Sequence, residues 1–215
     1  MLKYILNLNV LKMDLDEILN RRFSCRAYKN KDVDDKRVLK ILKNAMLSPN
    51  SGNIQAWRFI VVKNEGKREE IAIACLKQKW MTQAPVHIVI LNDSKYSKAH
   101  YDKRGEIYGI QDCTLAASNM MLTASYLNLD TCFVSAFDED MLKRALEIPK
   151  EVTPYVVITL GYGNEKQEGR KRYSYNINTF FEKYGNKEQG KGIFPLSKFK
   201  KDINNLKSKL VKHIK

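Results

Sequence analysis

Strand-patterned and helix-patterned segments alternate along this sequence, and the alternation predicts a layered α/β protein in one domain, without setting strand direction. Three observations carry the expectation. Runs rich in β-branched and aromatic residues, at Trp57–Lys63, Val86–Leu91, Thr131–Phe137 and Tyr155–Leu160, have the length and composition of buried strands. Amphipathic runs with helix-capping residues lie between them. A chain of 215 residues, 44% hydrophobic and 29% charged, is long enough for one substantial core.

Taken in order, Asp14–Arg22 opens with an Asp N-cap and Glu17 three residues on, and places Leu15, Ile18 and Leu19 along one helical face. Residues 1–12 precede that start as an extension. A second helix follows Asp34-Asp35, carries Val38, Ile41, Leu42 and Ala45 at amphipathic spacing, and ends near Pro49. A polar loop, SPNSGNIQAW, then leads into the first strand. Glu65–Lys79 reads as a helix with Ile71, Ala72 and Cys75 inward, followed by the second strand. Arg104–Leu127 has the longest helical pattern; its stripe of Ile110, Cys113, Ala117, Met120, Met121 and Ala124 suits a central helix. Asp138 caps a short helix to Leu146, and the last strand runs from Tyr155 into Gly161-Tyr-Gly163. The core domain is expected over residues 13–185, with a basic, partly helical tail over 186–215.

Composition narrows the function. No apolar run approaches the roughly 20 residues that span a bilayer. The N-terminus has no small-residue cleavage site, so a cytoplasmic protein is expected. Cys25, Cys75, Cys113 and Cys132 form no CxxC pair and read as free, mostly buried thiols, and His87, His100 and His213 are too scattered for a metal centre. The formal net charge of +14 raises an anionic partner. Much of the excess lies in the Lys183–Lys215 stretch and on helix faces. No recognition motif or interleaving of basic and aromatic residues points to nucleic acid.

Three constellations carry chemistry. Arg21-Arg-Phe-Ser-Cys-Arg26 places guanidinium forks and a hydroxyl where they can converge on a phosphate, although cations also suit a helix C-terminus. Asn50, Ser51, Asn53 and Gln55 offer donors and acceptors on a loop held by Pro49 and opened by Gly52; turn formers alone produce the same composition. Gly169-Arg-Lys-Arg172 follows the last strand and equally reads as a solvated basic loop.

In this order the three resemble the nitroreductase family, whose chains open with a helix, an R-x-S-x-R element, a second helix and a P-S-S-x-N-x-Q-P-W loop. Here the pattern stands as Arg22-Phe-Ser24-Cys-Arg26 and Pro49-Asn-Ser51-Gly-Asn53-Ile-Gln55-Ala-Trp57. QAPVHIVIL, LNLDTCFVSAFD, ALEIP, VVITLGYG and the RKR before FFEKYG follow in register, so the resemblance runs from about Met13 to Gly185. Asn50 departs from the usual serine, Ala56 from the usual proline, and Ser135-Ala136 from a more frequent acidic or glycine-bearing pair.

The resemblance implies an α+β fold of nitroreductase type, with a mixed, largely antiparallel sheet flanked by helices, in a homodimer with FMN at the interface. It implies an oxidoreductase that takes hydride from NADH or NADPH and reduces a nitroaromatic, quinone, enone or flavin by a ping-pong mechanism. Arg22, Phe23, Ser24 and Arg26 are then expected at the cofactor, with Arg22 and Ser24 on its phosphate and Arg26 near the phosphate or the flavin ring. Pro49, Asn50, Ser51 and Asn53 would frame the ring, Ser135 and Ala136 would direct backbone N–H groups at it, and Arg170 and Arg172 would add phosphate contacts. Arg26 is the candidate for stabilising reduced flavin. The other reading of the charge is a polyanion-binding module on the same scaffold without redox turnover.

Overall fold

The computed structural model describes residues 13–166 and 171–187. The extension at 1–12, Arg170 and all but the first two residues of the expected tail lie outside the described residues. The chain forms two compact units, Met1–Glu168 and Gly169–Lys215.

In the first unit, β1 (Trp57–Val62), β2 (Val86–Asp93), β3 (Asp130–Val134) and β4 (Val152–Gly161) form one sheet in the order β1-β2-β4-β3. Every named pair is antiparallel; parallel pairing enters at a single bridge, Ser24 to Thr131, on the outer side of β3. Side chains alternate between the two faces of the sheet. Val86, Ile88, Ile90, Val156, Ile158 and Leu160 face one core with α2 (Asp35–Ala45) and α5 (Arg104–Tyr126). Val89, Leu91, Val157, Cys132 and Val134 face a second core with α3 (Glu65–Ala74) and α6 (Glu139–Leu146). Burial on both faces is why β2 reads as a continuous apolar run.

The caps act as expected. At α1 (Leu15–Arg21) the Glu17 N–H donates to Asp14 Oδ1 at 2.8 Å and the Asp14 N–H to Glu17 Oε2 at 3.2 Å, a capping box. Asp34 and Asp138 cap α2 and α6. The apolar face of α1, however, is not buried: none of its residues is.

Four expectations shift. The helix expected to reach Lys79 stops at Ala74, where Lys77 N–H donates to Ile73 O and Gln78 N–H to Ala72 O at 3.1 Å each, with Leu76 and Lys77 at positive φ. Two successive left-handed residues, neither a glycine, thus reverse the chain and cover the last carbonyls of the helix. A 3₁₀ turn, Lys79–Gln83, then leads into β2. The last strand begins at Val152 rather than Tyr155; Leu91 faces Pro154 and Ile90 faces Val156, so a bulge at Tyr155 accommodates the proline inside the sheet. Between Asp93 and Gly109 the chain makes an unanticipated helix, α4 (Ser94–Tyr101). Finally, Ile110 belongs to the outer side of α5, 43% exposed, while small residues such as Ala116 and Ala117 face the sheet.

All four cysteines are free and buried. Burial pushes the Cys75 and Cys113 thiols up to about 12. Among the described residues no helix is long and apolar enough to cross a membrane, and no cluster of His, Cys, Asp or Glu could hold a metal ion.

In the second unit, α7 (Tyr175–Asn178) is closed by Lys187, whose Nζ donates to the carbonyls of Asn176, Ile177 and Thr179. Arg172 is exposed, and its guanidinium donates to Lys171 O at 3.3 Å.

Candidate functional site

The arginine–serine element begins where α1 ends. Arg21 is structural: it donates to Ser125 O at 3.0 Å and Leu129 O at 3.1 Å and pairs with Asp130 at 3.4 Å, placing a cation at the C-terminus of α5. Beyond it the chain lies against the start of β3, with Cys25 N–H donating to Thr131 O at 3.0 Å. Arg22 is half-buried, and Ser24 and Arg26 are exposed. All three act on the same buried thiol. Burial raises the pKa of Cys132, against the lowering effects of Arg26, a hydrogen bond with Ser24, and Arg22, with Glu165 adding to the rise. Arg22, Ser24 and Arg26 occupy alternate positions of the segment bridged to β3 at Ser24 and Thr131. Phe23 packs on the small cluster of Cys25, Tyr28 and Ala84 beneath it.

A buried polar string supports this place. Tyr28 Oη donates to Cys25 O at 2.9 Å and lies 2.7 Å from Thr159 Oγ1, which also accepts the Cys132 N–H at 3.2 Å. Residues 26–29 then pair with 162–164: Lys29 N–H donates to Tyr162 O, and Asn164 N–H to Ala27 O, both at 2.8 Å. Arg26 itself is held by two residues that local motif reading passed over. Its backbone N–H donates to Glu165, and its guanidinium carbon lies 5.9 Å from the centre of the Trp80 ring.

The polar loop is pinned to α5 at two points. Asn119 Nδ2 donates to Ser48 Oγ at 2.7 Å. The Asp112 carboxylate, 5% exposed, accepts the Ser51 N–H at 3.1 and 3.2 Å and the Ser51 hydroxyl at 3.1 Å. Asn50 turns back on its own loop, its Oδ1 accepting the Gln55 N–H at 3.0 Å, and Asn53 Oδ1 accepts from Gln55 Nε2 at 3.1 Å. Gly52, Asn53 and Gln55 all have φ near +55°, with Ile54 right-handed between them, so the loop turns tightly through left-handed positions. Pro49, Asn50 and Ser51 line one side of a cleft of about 590 Å³, opposite Ile110, Thr114 and Leu115 of α5. Asp112 was not singled out from the sequence. An acidic residue inside an apolar helical stripe was the available signal.

The two elements are far apart within one chain. Ser51 is bound at Asp112 and Arg21 at Ser125, a separation along α5 of about 20 Å at ~1.5 Å per residue. The sheet agrees: the loop enters β1 opposite the C-terminal end of β2, whereas Ser24 pairs with β3 at the other edge and level with the start of β2. Ser135 and Ala136, both exposed, follow the end of β3, about 13 Å along that strand from the Ser24 bridge at ~3.3 Å per residue.

Comparison with known proteins decides the family: the nitroreductase family model matches residues 19–78 and 72–162. The chain belongs to the nitroreductase family. A family member in Methanothermobacter thermautotrophicus, provisionally named NADH dehydrogenase/NAD(P)H nitroreductase, is 33% identical over 160 residues, covering 73% of this chain and 81% of the relative. One of the same name in Archaeoglobus fulgidus is 30% identical over 156 residues, covering 71% and 87%. Among solved structures, an FMN-dependent nitroreductase from Clostridium difficile R20291 superposes with a TM-score of 0.69 at 25% identity, covering 79% of this chain and all of that one. In nitroreductase terms, Arg22, Ser24 and Arg26 lie on the segment beside β3, while Pro49, Asn50 and Ser51 line the cleft at α5 and Asn53 is bonded to Gln55 within the same loop.

Proposed function

We propose that this protein, an FMN-dependent oxidoreductase drawing on NAD(P)H, reduces a small nitroaromatic, quinone, enone or flavin acceptor by a ping-pong mechanism, at sites shared between two copies of the chain. The observation that carries this reading is the run of Arg22, Ser24 and Arg26 at alternate positions of the segment bridged to the outer edge of β3, with Ser135-Ala136 at that strand's far end. The donors fit the group: guanidinium forks and a hydroxyl suit a phosphate, and exposed backbone at the other end suits a heteroaromatic edge.

FMN, when bound, accepts hydride from NADH or NADPH and passes two electrons to a second substrate. In this reading Arg22 and Ser24 hold its phosphate, helped by Arg170 and Arg172, and Phe23 supports them from below. Arg26 supplies positive charge where negative charge develops on reduction. Ser135 and Ala136 offer backbone donors at the ring. Pro49, Asn50, Ser51 and Asn53, too distant to act on the same cofactor in their own chain, would frame the ring bound by a partner copy. The about 20 Å separation of the two clusters along α5 supports a homodimer in this reading.

The test is a visible absorption spectrum of the purified protein, followed by anaerobic addition of NADH and then NADPH. A yellow flavin spectrum that bleaches supports the reading and names the electron donor. A colourless protein that takes up no added FMN overturns it, and salt-sensitive retention of that protein on heparin would point to polyanion binding instead.

A further inference from the structure

The short ladder between residues 26–29 and 162–164 ends in a side chain. Lys29 N–H donates to Tyr162 O and Asn164 N–H to Ala27 O, Tyr28 N–H goes to Gln83 Oε1, and Arg26 N–H goes to the Glu165 carboxylate. A charged acceptor binds a backbone N–H more strongly than a peptide carbonyl does. The clamp falls where the chain leaves this ladder for the Ser24 bridge to β3. The opposite end of Arg26 is located separately, over Trp80. Burial first, with the Glu165 charge adding to it, raises the pKa of the Cys25 and Cys132 thiols.

We propose that Glu165 is a positioning residue for the cofactor site: its carboxylate clamps the Arg26 main chain and so presents the guanidinium, laid on Trp80, beside Arg22 and Ser24. This inference rests on the flavin reading above. A bystander carboxylate behaves differently. It repels the cofactor's phosphate, so removing its charge by any substitution tightens binding. A clamp tolerates Gln, whose carbonyl oxygen still accepts an N–H, and does not tolerate Ala.

The experiment uses the full chain reconstituted with FMN, as wild type, Glu165→Gln, Glu165→Ala, Arg26→Ala and the double variant Glu165→Ala/Arg26→Ala. Flavin fluorescence reads the dissociation constant, and a redox titration reads the midpoint potential. The expected result is FMN binding about tenfold weaker in Glu165→Ala and within about threefold of wild type in Glu165→Gln. The Ala potential should shift in the same direction as in Arg26→Ala, and the double variant should be no weaker than Arg26→Ala alone. Hydrogen exchange over residues 23–28 in the cofactor-free protein is a second readout, faster in Glu165→Ala only. Unchanged affinity in Glu165→Ala, tighter binding in both Glu165 variants, additive losses in the double variant, or equal exchange in all proteins would each overturn the inference while leaving the flavin reading intact. A wild-type chain that takes up no FMN overturns both.

Discussion

Asp112 is where a single carboxylate organises a whole loop. It takes both donors of Ser51, and with Ser48 tied to Asn119 it leaves the left-handed turn at Gly52 little freedom. Asp112→Ala leaves those donors without their acceptor and is expected to cost about 2 kcal/mol of stability, read as a lower urea midpoint, since bonds to a charged group contribute roughly 1.5–3 kcal/mol. Under the proposed function FMN should also bind more weakly; an unchanged midpoint would show that the loop is held by other contacts. Arg26→Ala is expected to slow flavin reduction by NAD(P)H or loosen FMN, and stopped-flow bleaching with an occupancy measurement checks both. Arg22, Ser24 and the Pro49–Asn53 loop were legible because their spacing is local. Asp112 and Glu165 were not, because they act on partners 61 and 139 residues away.

Among the described residues, strand β2 carries the one imidazole with no contact to water. His87 is fully buried; its Nε2 lies 2.9 Å from Met81 O, and its Nδ1 has no partner among the described residues. Burial, with Arg68 nearby, lowers its pKa to about 4, against the raising effect of the Met81 carbonyl. The unfolded chain, with an ordinary value near 6.5, binds the proton first. Stability from this group is therefore complete above about pH 6.5 and falls as pH drops toward 4, by about 3 kcal/mol over that window. Urea unfolding at pH 7, 5.5 and 4.5 should show a slope that His87→Leu flattens; equal slopes would mean the imidazole is not the titrating group. Helix α5 meets the same strand through Gly109, where a Cβ would come within 2.4 Å of the Asn92 side chain. Gly109→Ala is expected to cost about 1–3 kcal/mol by overpacking, read as a lower melting temperature. Helix and strand periodicity announced α2, α5, β1 and β2, and capping residues announced the starts of α1 and α6. The end of α3 and the Tyr155 bulge were hidden, since each depends on backbone bonding that no residue type demands.

At the scale of the whole molecule, part of the uncovered apolar surface among the described residues is gathered on two helices. Leu39, Met46 and Leu47 on α2 and the turn after it, and Ile107, Ile110 and Leu115 on α5, are all exposed, on two helices packed against one sheet face. Leu47 is the most exposed of them at 79%. Such a surface marks an interaction site, and it adjoins the cleft whose loop needs a partner copy under the proposed function. Leu47→Glu places a charge there; under the proposed function the wild type scatters light as a dimer, and the variant should scatter as a monomer at the same concentration, with FMN occupancy falling in parallel. A variant that stays dimeric and fully loaded would put the interface elsewhere.

What the sequence determined by itself was the set of parts: caps, buried strands, a small-residue central helix, and the local R-x-S-x-R and P-x-S-x-N-x-Q spacings that place donors within a few residues of each other. Those are short-range consequences of backbone geometry and side-chain chemistry, so they can be read along the chain. Only the tertiary structure decided which parts meet. It made every strand pair antiparallel, set the arginine–serine element on the outer side of β3, sent the polar loop about 20 Å away along α5, and brought Asp112, Glu165 and Trp80 to residues distant in sequence. Those outcomes follow from packing two cores against one sheet, where each contact joins segments whose separation along the chain carries no local signal.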